Sequence, residues 1–213
     1  IMPIFFFGLP RGRAEAKIAK RPPPPGTVLR HLAGPLGLIF GISATMAFVQ
    51  RAFLTMEPII IADLGGSEGL GALALTIYLG AQAFGTVTGG VLADRMDRRK
   101  LLLYLCCLAL PAHLLAVWLG PQGAIGLAAA GAAGFLGMAT LPPFVVMAQE
   151  LLPSGAAVSS GIVMGLAWAT GSVFVLATGA LADVIGPQTA TLLSMPAIII
   201  AIGLAMHPAL KHG

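Results

Sequence analysis

Charge is what this sequence has least of: Asp, Glu, Lys and Arg together make up 9% of 213 residues, against roughly 25% in soluble domains. A chain so poor in charge cannot clothe a globule of its size in polar groups, which excludes an ordinary water-soluble fold. Cysteine is nearly absent as well. The only two, Cys106 and Cys107, are adjacent within an apolar run, a spacing that fits neither a zinc site nor a disulfide framework. They read as small hydrophobes facing lipid or a neighbouring helix. No His/Cys/Asp/Glu cluster has metal-ligand spacing, so neither a metal nor another cofactor is expected. No serine motif pairs with a base in the manner of an intramembrane hydrolase, so enzymatic activity is not expected either.

What the chain does have is apolar sequence: 57% hydrophobic residues and a mean hydropathy of +0.93. The solvent it must meet is lipid. Its net charge of +4 comes from basic residues confined to short stretches between long apolar runs. That is how membrane proteins display charge, whereas a nucleic-acid module needs a basic face on a soluble fold. Six runs follow one another: 32–61, 70–93, 101–119, 124–149, 156–182 and 189–206. The third and fourth lie in a stretch with no charge from Lys100 to Glu150 and are divided by Gly120-Pro121-Gln122-Gly123. Each is long enough to cross a bilayer at ~1.5 Å rise per residue. Only helices satisfy their own backbone groups in such runs. The expected fold is therefore an all-α integral membrane domain of six transmembrane helices over residues 32–213.

Upstream, residues 1–10 are apolar but too short to span, and their basic residues follow rather than precede them, which excludes a signal peptide. They read as the tail of a preceding transmembrane helix. Residues 11–31 carry six Lys and Arg around four consecutive prolines, Pro22 to Pro25. This is a stiff, extended linker. Placing the loops alternately on two sides puts the linker, the 95–100 loop and Lys211 together; Asp63, Glu68 and Asp183 fall opposite. The bias predicts that the linker, that loop and the C-terminus are cytoplasmic, in the cell membrane.

Gly90-Val-Leu-Ala-Asp94 ends the second run and Gly179-Ala-Leu-Ala-Asp183 ends the fifth. With three spans between them the two copies lie on opposite sides, the arrangement of a 3+3 inverted repeat, a construction principle of secondary transporters. The first copy continues as Arg95-Met-Asp97-Arg98-Arg99. The whole resembles the loop signature of the major facilitator superfamily, G-x-L-a-D-r-x-G-r-r, between the second and third helices of each six-helix half; Asp97 stands where that family prefers Gly. Val145-Val-Met-Ala-Gln149-Glu150-Leu-Leu-Pro153, Ser160-Gly161 and Gly165-Leu-Ala are similar to the last helices of the fosmidomycin-resistance-type efflux proteins. The resemblance implies the C-terminal half of a proton-coupled exporter of small organic compounds, working by alternating access with an N-terminal six-helix half. It also implies a conformational latch of Gly90, Asp94, Arg95, Arg98 and Arg99, the carboxylate neutralising the arginines when the cytoplasmic side is closed. Spacing alone accounts for these charges as positive-inside anchoring. Another reading of the same six helices is a self-assembling membrane protein, two copies making a transporter or scaffold.

Ionisable groups inside spans are expensive and functional by default. Arg51 and Glu57 lie in the first span, six residues apart and hence on different faces. A helix starting at His31 would carry Arg51 about 30 Å, to the outer boundary, where it either snorkels to water or faces a cavity. Pro58 is expected to end or kink that helix just after Glu57. Tyr78 and Gln82 stack at i and i+4 in the second span, continued by Gly85 and Gly89 as a close-packing face. They need partners, either a neighbouring helix or a cavity holding substrate. His113, beyond Pro111 in the third span, reads as a packing histidine or a proton relay. Pro142-Pro143 should kink the fourth span, and Gly161-xxx-Gly165 should bring the fifth close to another helix.

Overall fold

The computed structural model describes residues 26, 30, 32–121 and 123–210. The readings of 1–10 as a helix tail and of 11–31 as a linker, Gly26 and Arg30 apart, lie outside the described residues, as does Lys211.

Helix α1 runs Pro35–Asp63, opened by a proline whose missing N–H costs nothing at a helix start. α2 is Glu68–Arg95, its first turn capped by Ser67, whose hydroxyl accepts from the Leu70 N–H at 3.2 Å. α3 is Arg98–Leu119, capped by the Asp97 carboxylate on the Lys100 N–H at 2.8 Å. The fourth span is α4 (Ala124–Ala139) followed by α5 (Leu141–Leu151). The fifth is α6 (Ala156–Gly161), a π-helical turn over Ile162–Leu166, and α7 (Ala167–Ile185). The sixth is α8 (Pro187–Ser194), a short 3-10 turn and α9 (Ile198–Met206). All six are long and apolar enough to cross a membrane, and no strand occurs among the described residues. The chain is a multi-pass, all-α membrane protein.

Lipid tails are as apolar as leucine, so burying apolar surface does not drive these helices together. Close packing does. α1 is the most enclosed helix, with Ile39, Ile42, Val49 and Phe53 fully buried. α2 lies along α4, and the fifth span lies along α1 in the same way. α3 and the sixth span back onto α4 and α1 respectively and onto each other. Exchanging the first three spans with the last three reproduces these pairings, which is the two-fold relation of a 3+3 inverted repeat.

Glycine makes the closest approaches. A Cβ added to Gly89 would lie 2.8 Å from the carbonyl carbon and Cα of Ala139 and closer still to its oxygen. Gly85 is as tightly placed against Phe135, and a Cβ on Gly171 in α7 would lie 2.6 Å from the Phe48 nitrogen in α1. The close-packing face expected at Gly85 and Gly89 is thus where α2 meets α4. Gly161 and Gly165 behave differently. Both are exposed, with open space where a Cβ would go. The fifth span's close glycine approach to α1 is made by Gly171, beyond the π-helical turn.

Candidate functional site

Pro142 and Pro143 have no N–H to give the carbonyls one turn back, at Met138 and Ala139. The fourth span accordingly breaks at Thr140, between α4 and α5. The neighbouring Gly137 carbonyl becomes the focus of a buried polar network. It accepts from the Thr140 hydroxyl at 2.6 Å and from Gln50 Nε2 of α1 at 3.4 Å. Gln50 Oε1 in turn accepts from Gln82 Nε2 of α2 at 3.2 Å. Three spans are joined by two amides in a chain that ends on the Gly137 carbonyl.

Tyr78 lies one turn before Gln82 and is fully buried. Its ring stacks on Phe53, with centroids 4.5 Å apart and planes 23° from parallel. Its hydroxyl lies 3.5 Å from His113 Nε2, a long contact. His113 Nδ1 is 2.8 Å from the Ala109 carbonyl, which can only accept. Nδ1 therefore carries the hydrogen, Nε2 is the acceptor, and the Tyr78 hydroxyl donates. Tyr78, Gln82 and His113 find their partners on neighbouring helices, all within this six-helix unit.

The two charges of α1 are placed otherwise. Glu57 is 1% exposed, and neither of its carboxyl oxygens has a partner among the described residues. Pro58 does not end the helix, which continues to Asp63 with Ile60 and Ile61 buried. Because α1 starts at Pro35 and extends that far, Arg51 is about 24 Å from its start and about 18 Å from its Asp63 end. Its guanidinium carbon lies 4.8 Å over the Trp168 ring, and its Nε is buried with no partner among the described residues. No ion pair joins Arg51 to Glu57, as the six-residue spacing requires.

At the other end of the molecule the arginines of the 95–100 loop tie spans together. Arg98 pairs with Glu150 at the end of α5. Arg99 donates to the Ala205 carbonyl at 2.9 Å and the Met206 carbonyl at 2.6 Å, the exposed C-terminal end of α9. Asp94 is exposed and has no ion pair among the described residues. A Cβ added to Gly90 would come no closer than ordinary contact with Pro142, and Arg95 is exposed. A cavity of ≈ 760 Å³ opens here, lined by Asp94, Arg98, Arg99, Glu150 and Leu210 among others.

Sequence reasoning missed Gln50, Thr140 and Trp168, and it quoted Glu150 only as part of a motif. Gln50 was discoverable, being a polar amide inside an apolar span. Trp168 was not, since a tryptophan in a membrane helix has many ordinary uses.

No family model matches the chain. Over 110 residues it is 36% identical to YfnC of Bacillus subtilis (strain 168), described as an uncharacterized MFS-type transporter. That stretch is 52% of this chain and 26% of the relative. Among solved structures it is similar to FucP, a major facilitator superfamily transporter in the outward conformation, with a TM-score of 0.69 and 20% identity. The likeness covers 96% of this chain and 50% of FucP. The chain has the six-helix fold of one half of a major facilitator transporter, and it spans about half the length of the solved relative. Both relatives are described as transporters.

Proposed function

We propose that this chain is one half, the C-terminal one, of a secondary active transporter that exports small organic compounds in exchange for protons. The observation that carries the reading is the fit of almost the whole chain to half of a transporter. In that architecture the substrate path lies between two six-helix halves, and one half rocks against the other. The narrower likeness to fosmidomycin-resistance-type proteins, carried by the Gln149-Glu150-Leu-Leu-Pro153 stretch, favours export.

The 95–100 loop supports a latch on the cytoplasmic side. Arg98 and Arg99 hold the ends of α3, α5 and α9 as one body. Asp94 and Arg95 remain exposed beside them and are the groups left to meet the other half when that side closes. Glu57 supports proton coupling, since a buried carboxyl with no donor is costly to leave charged.

Everted vesicles holding the complete protein test this. With an acid lumen, a chemically broad panel of compounds should include members that release the proton gradient. Asp94→Asn should abolish that release at equal protein abundance. No release by any compound, or full release by Asp94→Asn, defeats the corresponding part of the proposal. Release by the 213-residue chain alone would favour two copies assembling instead.

A further inference from the structure

The exposed stripe of α1 is narrow and, for a membrane helix, oddly polar. Most of α1 is buried against other spans, but Thr55, Ile59 and Ala62 are exposed, and Arg51, one turn before Thr55, is only partly covered. Arg51 and Thr55 stand at i and i+4, on one face.

Both carry unused donors. Among the described residues Arg51 makes no hydrogen bond and no ion pair, and Arg98 with Glu150 is the one ion pair found. Its Nε is sealed, while its guanidinium carbon lies over the Trp168 ring. The two terminal nitrogens are not among the sealed atoms, and they are the fork with which a guanidinium binds a carboxylate or phosphate in bidentate fashion. Most other helical threonines, in α1 and elsewhere, turn their hydroxyls back on their own helix or a neighbour. Thr45, Thr76, Thr86, Thr88 and Thr170 each donate to the carbonyl four residues earlier. Thr55, in mid-helix, makes no such bond. A guanidinium and a free hydroxyl therefore lie a turn apart on the open side of the most enclosed helix.

We propose that Arg51 and Thr55 form an anion-binding site, and that the transported compound is an organic anion whose carboxylate or phosphate group docks there. The inference rests on the transporter reading for its location, because the open stripe of α1 then faces the path between the halves. A cation inside a span needs a counter-charge, and Glu57, the other charged residue inside α1 before its Asp63 end, lies on a different face and is buried. An anionic substrate supplies the charge only while bound. Trp168 keeps the guanidinium in place between turnovers through a cation–π contact, so little ordering is required when the anion arrives.

The test uses the full-length protein in detergent and its thermal unfolding midpoint at constant ionic strength. The probes are benzoate, its neutral amide benzamide, the cation benzamidine, and inorganic phosphate. Benzoate or phosphate should raise the midpoint, and benzamide and benzamidine should not. Arg51→Gln should raise the half-effective anion concentration roughly ten- to a hundredfold, as loss of a charge-assisted bond does. Arg51→Lys should recover part of it. Thr55→Val, which leaves the helix intact, should weaken the anion about three- to tenfold. If neither anion gives a shift that depends on Arg51, or if the amide or the cation shifts the midpoint equally, the site is not an anion site. Proton-linked export of neutral or cationic compounds without such a shift would overturn this proposal and leave the transporter reading standing. An Arg51-dependent shift in a protein that moves nothing would do the reverse.

Discussion

Gly89 gives the sharpest test of how this bundle is held together. Replacing it with alanine adds one methyl group, which would lie 2.8 Å from the Ala139 carbonyl carbon and Cα. Carbon atoms in comfortable contact are about 3.5–4.0 Å apart, so α2 and α4 must separate by roughly 0.7–1.2 Å at this level. The obstructing atoms are backbone and cannot rotate away. Gly85 presses on Phe135 one turn along the same contact, so the separation also loosens the packing there. Overpacking of this kind costs about 1–3 kcal/mol. Gly80 is the control, because an added Cβ there meets nothing within 4 Å. Gly80→Ala should be neutral or stabilising by up to about 1 kcal/mol through helix propensity. Unfolding of the purified protein in mixed micelles, followed by circular dichroism, measures both variants. If Gly89→Ala is as stable as the parent, or Gly80→Ala is equally damaging, the backbone approach is not what joins α2 to α4.

Two further expectations follow from the charged groups. Arg98→Gln and Glu150→Gln should show a coupling of about 0.2–1 kcal/mol in a double-mutant cycle on unfolding, the range for a pair as open as this one; additive effects would mean that Arg98 does not bind Glu150 in the membrane. With Cys106 and Cys107 replaced, a cysteine at Ser67 should react with an impermeant reagent from outside the cell and one at Met96 only after lysis. The opposite pattern would invert the proposed orientation.

The sequence made the six spans legible because apolar runs and Gly-Pro turns are strong signals, and every span was located to within a few residues. The break in the fourth span was legible for a similar reason, since two prolines in succession remove two helix bonds whatever surrounds them. Side-chain partnerships were not. Tyr78 and Gln82 plainly needed hydrogen bonds, but whether a neighbouring helix or a cavity supplied them depends on helix rotation, which the Gly-, Ala- and Leu-rich composition barely constrains. The same weakness misplaced the role of Gly161 and Gly165, because small-xxx-small spacing says that a close approach is allowed and not that it occurs. The length of helix before Arg51 was overestimated, because α1 begins later than the apolar run suggests. Asp94 was given the arginines as partners because they are adjacent in sequence. In space Glu150, fifty-two residues from Arg98, reaches one of them first.

The polar residues of α1 follow a rule that the six-span pattern alone does not contain. Ser43, Gln50 and Glu57 recur every seven residues, which in a helix of 3.6 residues per turn keeps them on one face, and all three are buried. The first two each meet an irregularity in another span. Ser43 donates to the Val163 carbonyl at 3.0 Å, within the π-helical turn, and Gln50 donates to the Gly137 carbonyl beside the proline break. Such breaks leave backbone carbonyls short of their usual donors, and in a medium without water α1 supplies the replacements. By that rule Glu57 should face a third irregularity, yet its oxygens have no partner, and a carboxylate has no hydrogen of its own to offer a carbonyl. Glutamine at this position would do the structural task of Gln50, with no change of charge during transport. A glutamate differs from it in one relevant respect: it takes up and releases a proton, so what the third position gives up in bonding it gains as the group on which the proposed proton exchange depends.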